Sequence, residues 1–294
     1  MSGASGAAAE RDHLLAAPRV HAYIAAGLAD PGIIGTWPAA GGAGQGDDAA
    51  ITRSLDLDGL RRFAGFVTMV RQNPLRPVLP LTFDALARAD LEIEVFADYA
   101  PHFTLLARRG GLDLRRRLTA FAGFLESRLA ADDPAHAVVL DALGHELTVE
   151  RLRHAVGGPF AAPGAPRPDS VPRVTGALAV REARHHPRTL ARLIESGAVE
   201  SAVRRGEDGP TLLYWRDEHT HRVQVTEITP LAGYLLGLVD GHATVGELAD
   251  RLGAATGERC DPAGLLAVLQ GFTDLRLLTF TGAAPPPIGE SPCA

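Results

Sequence analysis

Lysine is missing from this chain: all 29 basic residues are arginine. A phosphate loop ending in Gly-Lys-Ser/Thr is therefore excluded. The glycine-rich run from Pro38 to Ala50 (PAAGGAGQGDDAA) ends instead on Asp47 and Asp48, which repel phosphate, and reads as a loop or insert. Cysteine is nearly absent. Only Cys260 and Cys293 occur, the second in a proline-rich tail, so neither a disulfide framework nor a cysteine-based zinc site is supported. A reducing, cytoplasmic setting is expected. Aromatic residues make up 5% of a chain that is 46% hydrophobic. Cores built mostly of Leu, Val and Ala should follow, which favours helices over an aromatic β-sandwich. No stretch approaches the ~18 consecutive apolar residues of a membrane span. The opening MSGASGAAAERDHLL puts acidic residues where a secretory signal needs a basic start. The net charge of −6 repels nucleic acid and anionic membranes unless a local patch overrides it.

Catalytic motifs are scarce as well. His145-Glu146 opens like a zinc-protease helix, but Val149 stands where the second histidine ligand would have to be. His185-His186 and the His219/His221 pair have no carboxylate at motif spacing, and solvated histidines are the simpler reading. Glu146 and Glu150 are one helical turn apart, followed by Arg151 and Arg153, a pattern typical of a solvated or salt-bridged face. No Gly-x-Ser-x-Gly elbow, Cys/His pairing or nucleotide fingerprint occurs. No metal, no cofactor and no enzymatic activity are expected.

What the chain does have is helical periodicity. Leu60, Phe63, Ala64, Val67 and Val70 recur at helical spacing up to Asn73-Pro74, and a restart after Pro80 carries Phe83 and Leu86 with Thr82 as a cap. Ile93 to Leu106 continues the pattern around Pro101. Leu114, Leu118, Phe121, Leu125 and Leu129 form the cleanest amphipathic stripe, and Asp133-Pro134 starts the next helix. A helical docking domain is expected over residues 10–157. Arg115, Arg116 and Arg117, the densest basic run, point away from the apolar stripe and are candidates for docking an acidic partner. The run 158–173 holds five prolines and reads as a linker. Beyond it lies a second domain over 174–280, and 281–294 is expected to be a disordered tail. The fold class is mainly α with a small β component.

The second domain reads as a winged-helix-like unit of three strands and three helices. Ala198 to Val203, Thr211 to Trp215 and Arg222 to Ile228 are strand-like, and helices should begin near Pro230, Thr244 and Asp261. Such a fold suggests DNA binding. Residues 199–280, however, carry seven arginines against twelve acidic residues, and the third helix, DPAGLLAVLQGFTDLR, offers almost no base-edge donors. Its apolar content exceeds what one buried stripe requires. If Arg222 to Ile228 is an edge strand, its free backbone groups can pair with an incoming peptide while the third helix supplies side-chain pockets. Val223, Val225, Leu265, Val268, Leu269 and Phe272 are the expected peptide contacts.

The run LLYWRDEHTHRVQVTEITPLAGYLLGLVDGHATVGELADRLGAATG, followed by LLAVLQGFTDLRLL, resembles the peptide chaperone of pyrroloquinoline quinone synthesis and its relatives, the RiPP recognition elements. The shared features are a helix closing on Asp240-Gly241, a Thr244 cap before Glu247-Leu248, and a last helix ending Leu-x-x-Leu-x-Leu-Leu; Gly241 should end one helix and Thr244 with Glu247 should box the next. In the first domain, MVRQNPLRPVLPLTFDAL, EVFADYA and LDALGHELTVERLRH are similar to the helical partner proteins that accompany multinuclear non-haem iron oxidative enzymes. These resemblances imply a non-catalytic cytoplasmic protein of peptide natural-product biosynthesis. Its partners would be the leader of a ribosomally made precursor peptide and an iron enzyme that holds the metal itself, in a heteromeric complex without nucleic acid or membrane. The alternative is a winged-helix transcriptional regulator binding DNA.

Overall fold

The computed structural model describes residues 4–37, 47–108, 113–155, 166–199, 209–217 and 219–281. It is mainly helical, with 64% helix and 11% strand. The helices are α1 (Ala4–Ala29), α2 (Asp47–Ser54), α3 (Leu57–Arg71), α4 (Pro80–Arg88), α5 (Glu92–Arg108), α6 (Leu114–Arg128), α7 (Pro134–Arg153), α8 (Pro187–Ser196), α9 (Pro230–Leu238), α10 (Val245–Thr256) and α11 (Pro262–Asp274). The strands are β1 (Val171–Val174), β2 (Leu178–Glu182), β3 (Thr211–Arg216), β4 (Val223–Ile228) and β5 (Leu278–Thr281). Among the described residues no helix is long and apolar enough to cross a membrane.

The chain forms two compact units: Met1–Leu143 with Leu193–Ala202, and Gly144–Arg192 with Val203–Ala294. The division therefore falls inside α7, upstream of the proline-rich run where a boundary at 157 is expected. Residues 158–165 lie outside the described residues, but 166–173 do not behave as a linker. The N–H groups of Val245 and Gly246, at the start of α10, donate to the carbonyls of Ser170 and Pro168 at 3.0 Å each, and β1 pairs antiparallel with β5. The backbone of this run is thus spent on the second unit. Of the expected tail, Thr281 ends β5 and the remainder lies outside the described residues.

The buried core of the first unit is mostly Leu, Ala and Val, as expected, with a cluster of aromatic residues set into it. Phe83, Phe96, Tyr99 and Phe121 are all essentially inaccessible. Phe96 stacks on Phe121 at 5.2 Å and Tyr99 meets Phe121 edge-on at 5.2 Å, geometries that rings favour. Helix starts are set by local chemistry: Asp56 caps α3 by accepting from Gly59 N–H at 2.9 Å, and Asp113 caps α6 from Arg116 N–H at 2.7 Å. Thr82 is not a cap. Pro80, with its fixed φ, begins α4 a residue or two earlier, leaving Thr82 buried inside the helix. Where α3 crosses α5, Gly65 allows contact: a Cβ there would stand 2.6 Å from the backbone N of Ala97. Asp98 of α5 ties three helices by pairing with Arg61 of α3 and with Arg128 of α6, the latter at 2.8 Å.

The second unit is built on a three-stranded antiparallel sheet of order β2-β3-β4. Its first strand is β2. The expected strand from Ala198 is not formed at Ala198 or Val199, because Ala198 N–H is used to close α8 on the carbonyl of Leu193 at 3.0 Å; residues 200–208 lie outside the described residues. Successive side chains point to opposite faces. On one face Leu213, Trp215, Leu178 and Ile228 enter a core with Leu235, Leu236, Val245, Leu248, Leu265, Leu269 and Phe272 of α9 to α11. On the other, Leu212, Tyr214, Ala179, Val223 and Val225 pack against Val149 and Leu152 of the second half of α7. The three closing helices start where caps predict: Thr229-Pro230, Thr244 with the full Thr244/Glu247 capping box, and Asp261-Pro262. α9 ends at Leu238, before Gly241, which with a φ of 76° belongs to the following turn, organised by Asp240. A Cβ on Gly233 would stand 2.9 Å from Thr211, so α9 lies directly on the sheet.

Candidate functional site

β4 is an edge: β3 flanks it on one side, and no described strand flanks it on the other. The hydrogen-bond alternation fixes which residues present backbone to that open side. Ala183 N–H donates to Pro210 O and Arg216 N–H to Ala177 O, so the even-numbered residues of β3 bond β2. Asp217 N–H donates to Arg222 O at 2.9 Å, so the odd-numbered ones bond β4. In the register Trp215↔Gln224 and Leu213↔Thr226, the inward-bonded residues of β4 are then Gln224, Thr226 and Ile228. The N–H and C=O groups of Val223, Val225 and Glu227 point away from the sheet.

The expected contacts therefore divide. Val223 and Val225 do form the open edge through their backbone, but their half-buried side chains face α7, away from α11. Leu265, Leu269 and Phe272 are core residues, at most 7% exposed, and only Val268 of the four helix positions is open, at 47%. Val268 lies on an exposed stripe with Gly264, Ala267, Gly271 and Leu275. On the α11 side of the sheet β4 presents Gln224, exposed, and Thr226, half-buried. Gln224, Thr226, Gly271 and Leu275 stand on these same faces and are not among the expected contacts. The signal available was the pairing of Gln224 with Trp215, whose side chain had to enter a core somewhere.

Two turns of the second unit are held by carboxylates. Asp217, in the β3–β4 hairpin, accepts from Thr220 and His219 N–H at 3.0 and 2.8 Å, and these bonds hold its pKa below the usual value. Asp240 accepts from the N–H groups of Ala243 and His242 and from Arg251, which together drive its pKa far down. The hairpin is also gripped by two arginines: Arg276 Nη1 lies 2.7 Å from His219 Nε2, and Arg216 Nη2 3.2 Å from His221 Nδ1.

The three-arginine run on α6 does not act as one patch. Arg115 and Arg116 are exposed, the latter 4.0 Å from Asp113. Arg117 turns inward: its Nη1 donates to the carbonyl of Arg71 at 3.3 Å and its guanidinium lies 5.7 Å from the Phe103 ring centre. Among the described residues no three His, Cys, Asp or Glu side chains are grouped to hold a metal ion. His145 Nδ1 lies 3.1 Å from the Tyr214 hydroxyl under α7, and His154 lies 2.9 Å from Glu150. No protein-family model and no curated protein sequence matches the chain.

Proposed function

We propose that this protein is a non-catalytic cytoplasmic partner that captures the leader of a ribosomally made precursor peptide and presents it to an iron-dependent modifying enzyme. The observation that carries the reading is the open edge of β4 in the same unit as the uncovered apolar stripe of α11. An extended peptide gains register from the backbone of Val223, Val225 and Glu227, and apolar anchors from Val268 and Leu275. The resemblance to RiPP recognition elements supports the same reading, as do the two adjacent strands β3 and β4 followed by the three helices α9, α10 and α11. The stripe offers no side-chain donor for a base edge or a phosphate, which disfavours DNA. The helical unit is left to hold the enzyme, with Arg115 and Arg116 free to contribute and Arg117 engaged elsewhere.

Fluorescence anisotropy with labelled peptides tiled across short reading frames next to the gene tests the reading. Saturable binding by one tile, abolished by Val225→Pro and by Val268→Asp in folded protein, is expected. Leu269→Asp is unsuited to the purpose because Leu269 is fully buried. The reading fails if no tile binds, if binding survives both changes, or if the protein instead shifts a DNA probe.

A further inference from the structure

The sheet of the second unit has another edge, β2: β3 flanks it on one side and, among the described residues, no strand flanks it on the other. The ladder fixes which groups it exposes. Arg216 N–H donates to Ala177 O and Ala183 N–H to Pro210 O, so the odd-numbered residues of β2 bond β3. The N–H and C=O groups of Leu178, Val180 and Glu182 therefore point outward. Bare edges invite pairing with another chain, and proteins guard them with proline, with bulges or with charges set across the edge. β2 contains no proline and pairs with β3 without a break in register. Its arginine is turned away, the Arg181 guanidinium lying against Gly144 of α7.

Apolar surface borders this edge on the face opposite α7. Val180 is exposed and stands beside α9, 3.0 Å through Cγ1 from where a Cβ on Gly233 would be. The solvent side of α9 carries Leu231 and Tyr234, one turn apart and each about half exposed.

We infer that β2 is a self-association edge, at which two copies of this chain pair antiparallel about a two-fold axis through Val180. The register identifies the occupant. With Val180 opposite the second copy's Val180, Leu178 falls opposite Glu182 and Glu182 opposite Leu178, so the outward groups of the five-residue strand are all met, in about six hydrogen bonds. Arg181 then faces Ala179, and no like charges stand opposite each other. Moving the axis to residue 181 would set Arg181 against itself, and moving it to residue 179 would leave Glu182 beyond the end of the partner strand. The same axis places both α9 helices, with Leu231 and Tyr234, on one face of the joined sheet. The two β4 edges remain at its far ends, so the inference does not draw on the peptide reading.

Sedimentation equilibrium of the full chain tests it, and a reversible monomer–dimer equilibrium in the micromolar range is expected. Val180→Pro removes an N–H that bonds nothing within the sheet, and should weaken the dimer about tenfold or more while circular dichroism shows the fold retained. Val225→Pro, on the opposite edge, should leave the dimer as it is. In a Cys260→Ser, Cys293→Ser background, Val180→Cys should form an intermolecular disulfide with an added oxidant, since facing residues of a bonded pair lie about 5.5 Å apart between Cα atoms. Glu227→Cys, on the far edge, should not. The inference is overturned if the chain stays monomeric, if the dimer is lost with Val225→Pro or survives Val180→Pro undiminished, or if Glu227→Cys cross-links as readily as Val180→Cys.

Discussion

Val225 lies directly across from Tyr214 in the β3–β4 ladder, and so shares the face on which Tyr214 meets His145 of α7. One residue thus serves two surfaces: its side chain closes the inner face under α7, and its backbone belongs to the outer edge. Proline placed along β4 separates the two. Val225→Pro removes an outward-pointing N–H and part of the packing under α7, and should lower the denaturation midpoint only modestly. Gln224→Pro removes a donor bonded to β3, and should cost about 1–2 kcal/mol or more. Urea unfolding of both variants checks this; equal losses would mean that the alternation along β4 is the reverse of that described.

Gly65→Ala tests the crossing of α3 and α5. Alanine is the better helix former, yet its methyl group would meet the backbone of Ala97. Overpacking should win, with a loss of about 1–3 kcal/mol in chemical denaturation. A stabilised variant would show that the helices can separate at little cost.

Acid should act on the helical unit through Asp98. Burial alone would raise its pKa, but hydrogen bonds from Arg128 and Arg61, with their charges, hold it below the ordinary carboxylate value. A depressed folded-state pKa means stability that is present above the unfolded value of about 3.9 and lost as pH falls through the folded one. Asp98→Asn should therefore be less stable than the parent near neutrality, with the gap narrowing below about pH 4. Thermal melts across that range decide it; a constant gap would assign no titrating role to Asp98.

Thr244→Ala removes the hydroxyl that accepts from Glu247 N–H at 3.2 Å at the start of α10. A loss of about 0.5–2 kcal/mol is expected, and Thr244→Ser should recover most of it. Urea unfolding of both variants measures the cap, and failure of serine to restore stability would point to the methyl group instead.

How legible these features were depended on the range of the interactions behind them. The starts of α9, α10 and α11 were readable because a cap and its partner lie within three residues, as with Thr244 and Glu247. The sheet was not fully readable, because β2 pairs with a strand whose nearest residue is far along the chain, and no local pattern says which partner it takes. The face presented by Val225 was set by its pairing with Tyr214. Alternation along β4 identifies two faces but does not say which of them meets α11. Arg117 sits next in sequence to Leu118 at the border of the α6 stripe, where a helical pattern leaves the choice of inside or outside to the neighbouring helices. The aromatic cluster was not legible because a chain-wide 5% conceals how closely Phe83, Phe96, Tyr99 and Phe121 gather.

The second half of α7 roofs the inner face of the sheet through Val149 and Leu152. The module that carries the open edge is therefore discontinuous with its own apparent beginning. A fragment cut at residue 158, after the last helix of the expected first domain, would leave Leu212, Tyr214, Val223 and Val225 bare to water, and should be sticky and poorly folded for that reason rather than for want of its ligand. A fragment begun ahead of Gly144 would keep its roof.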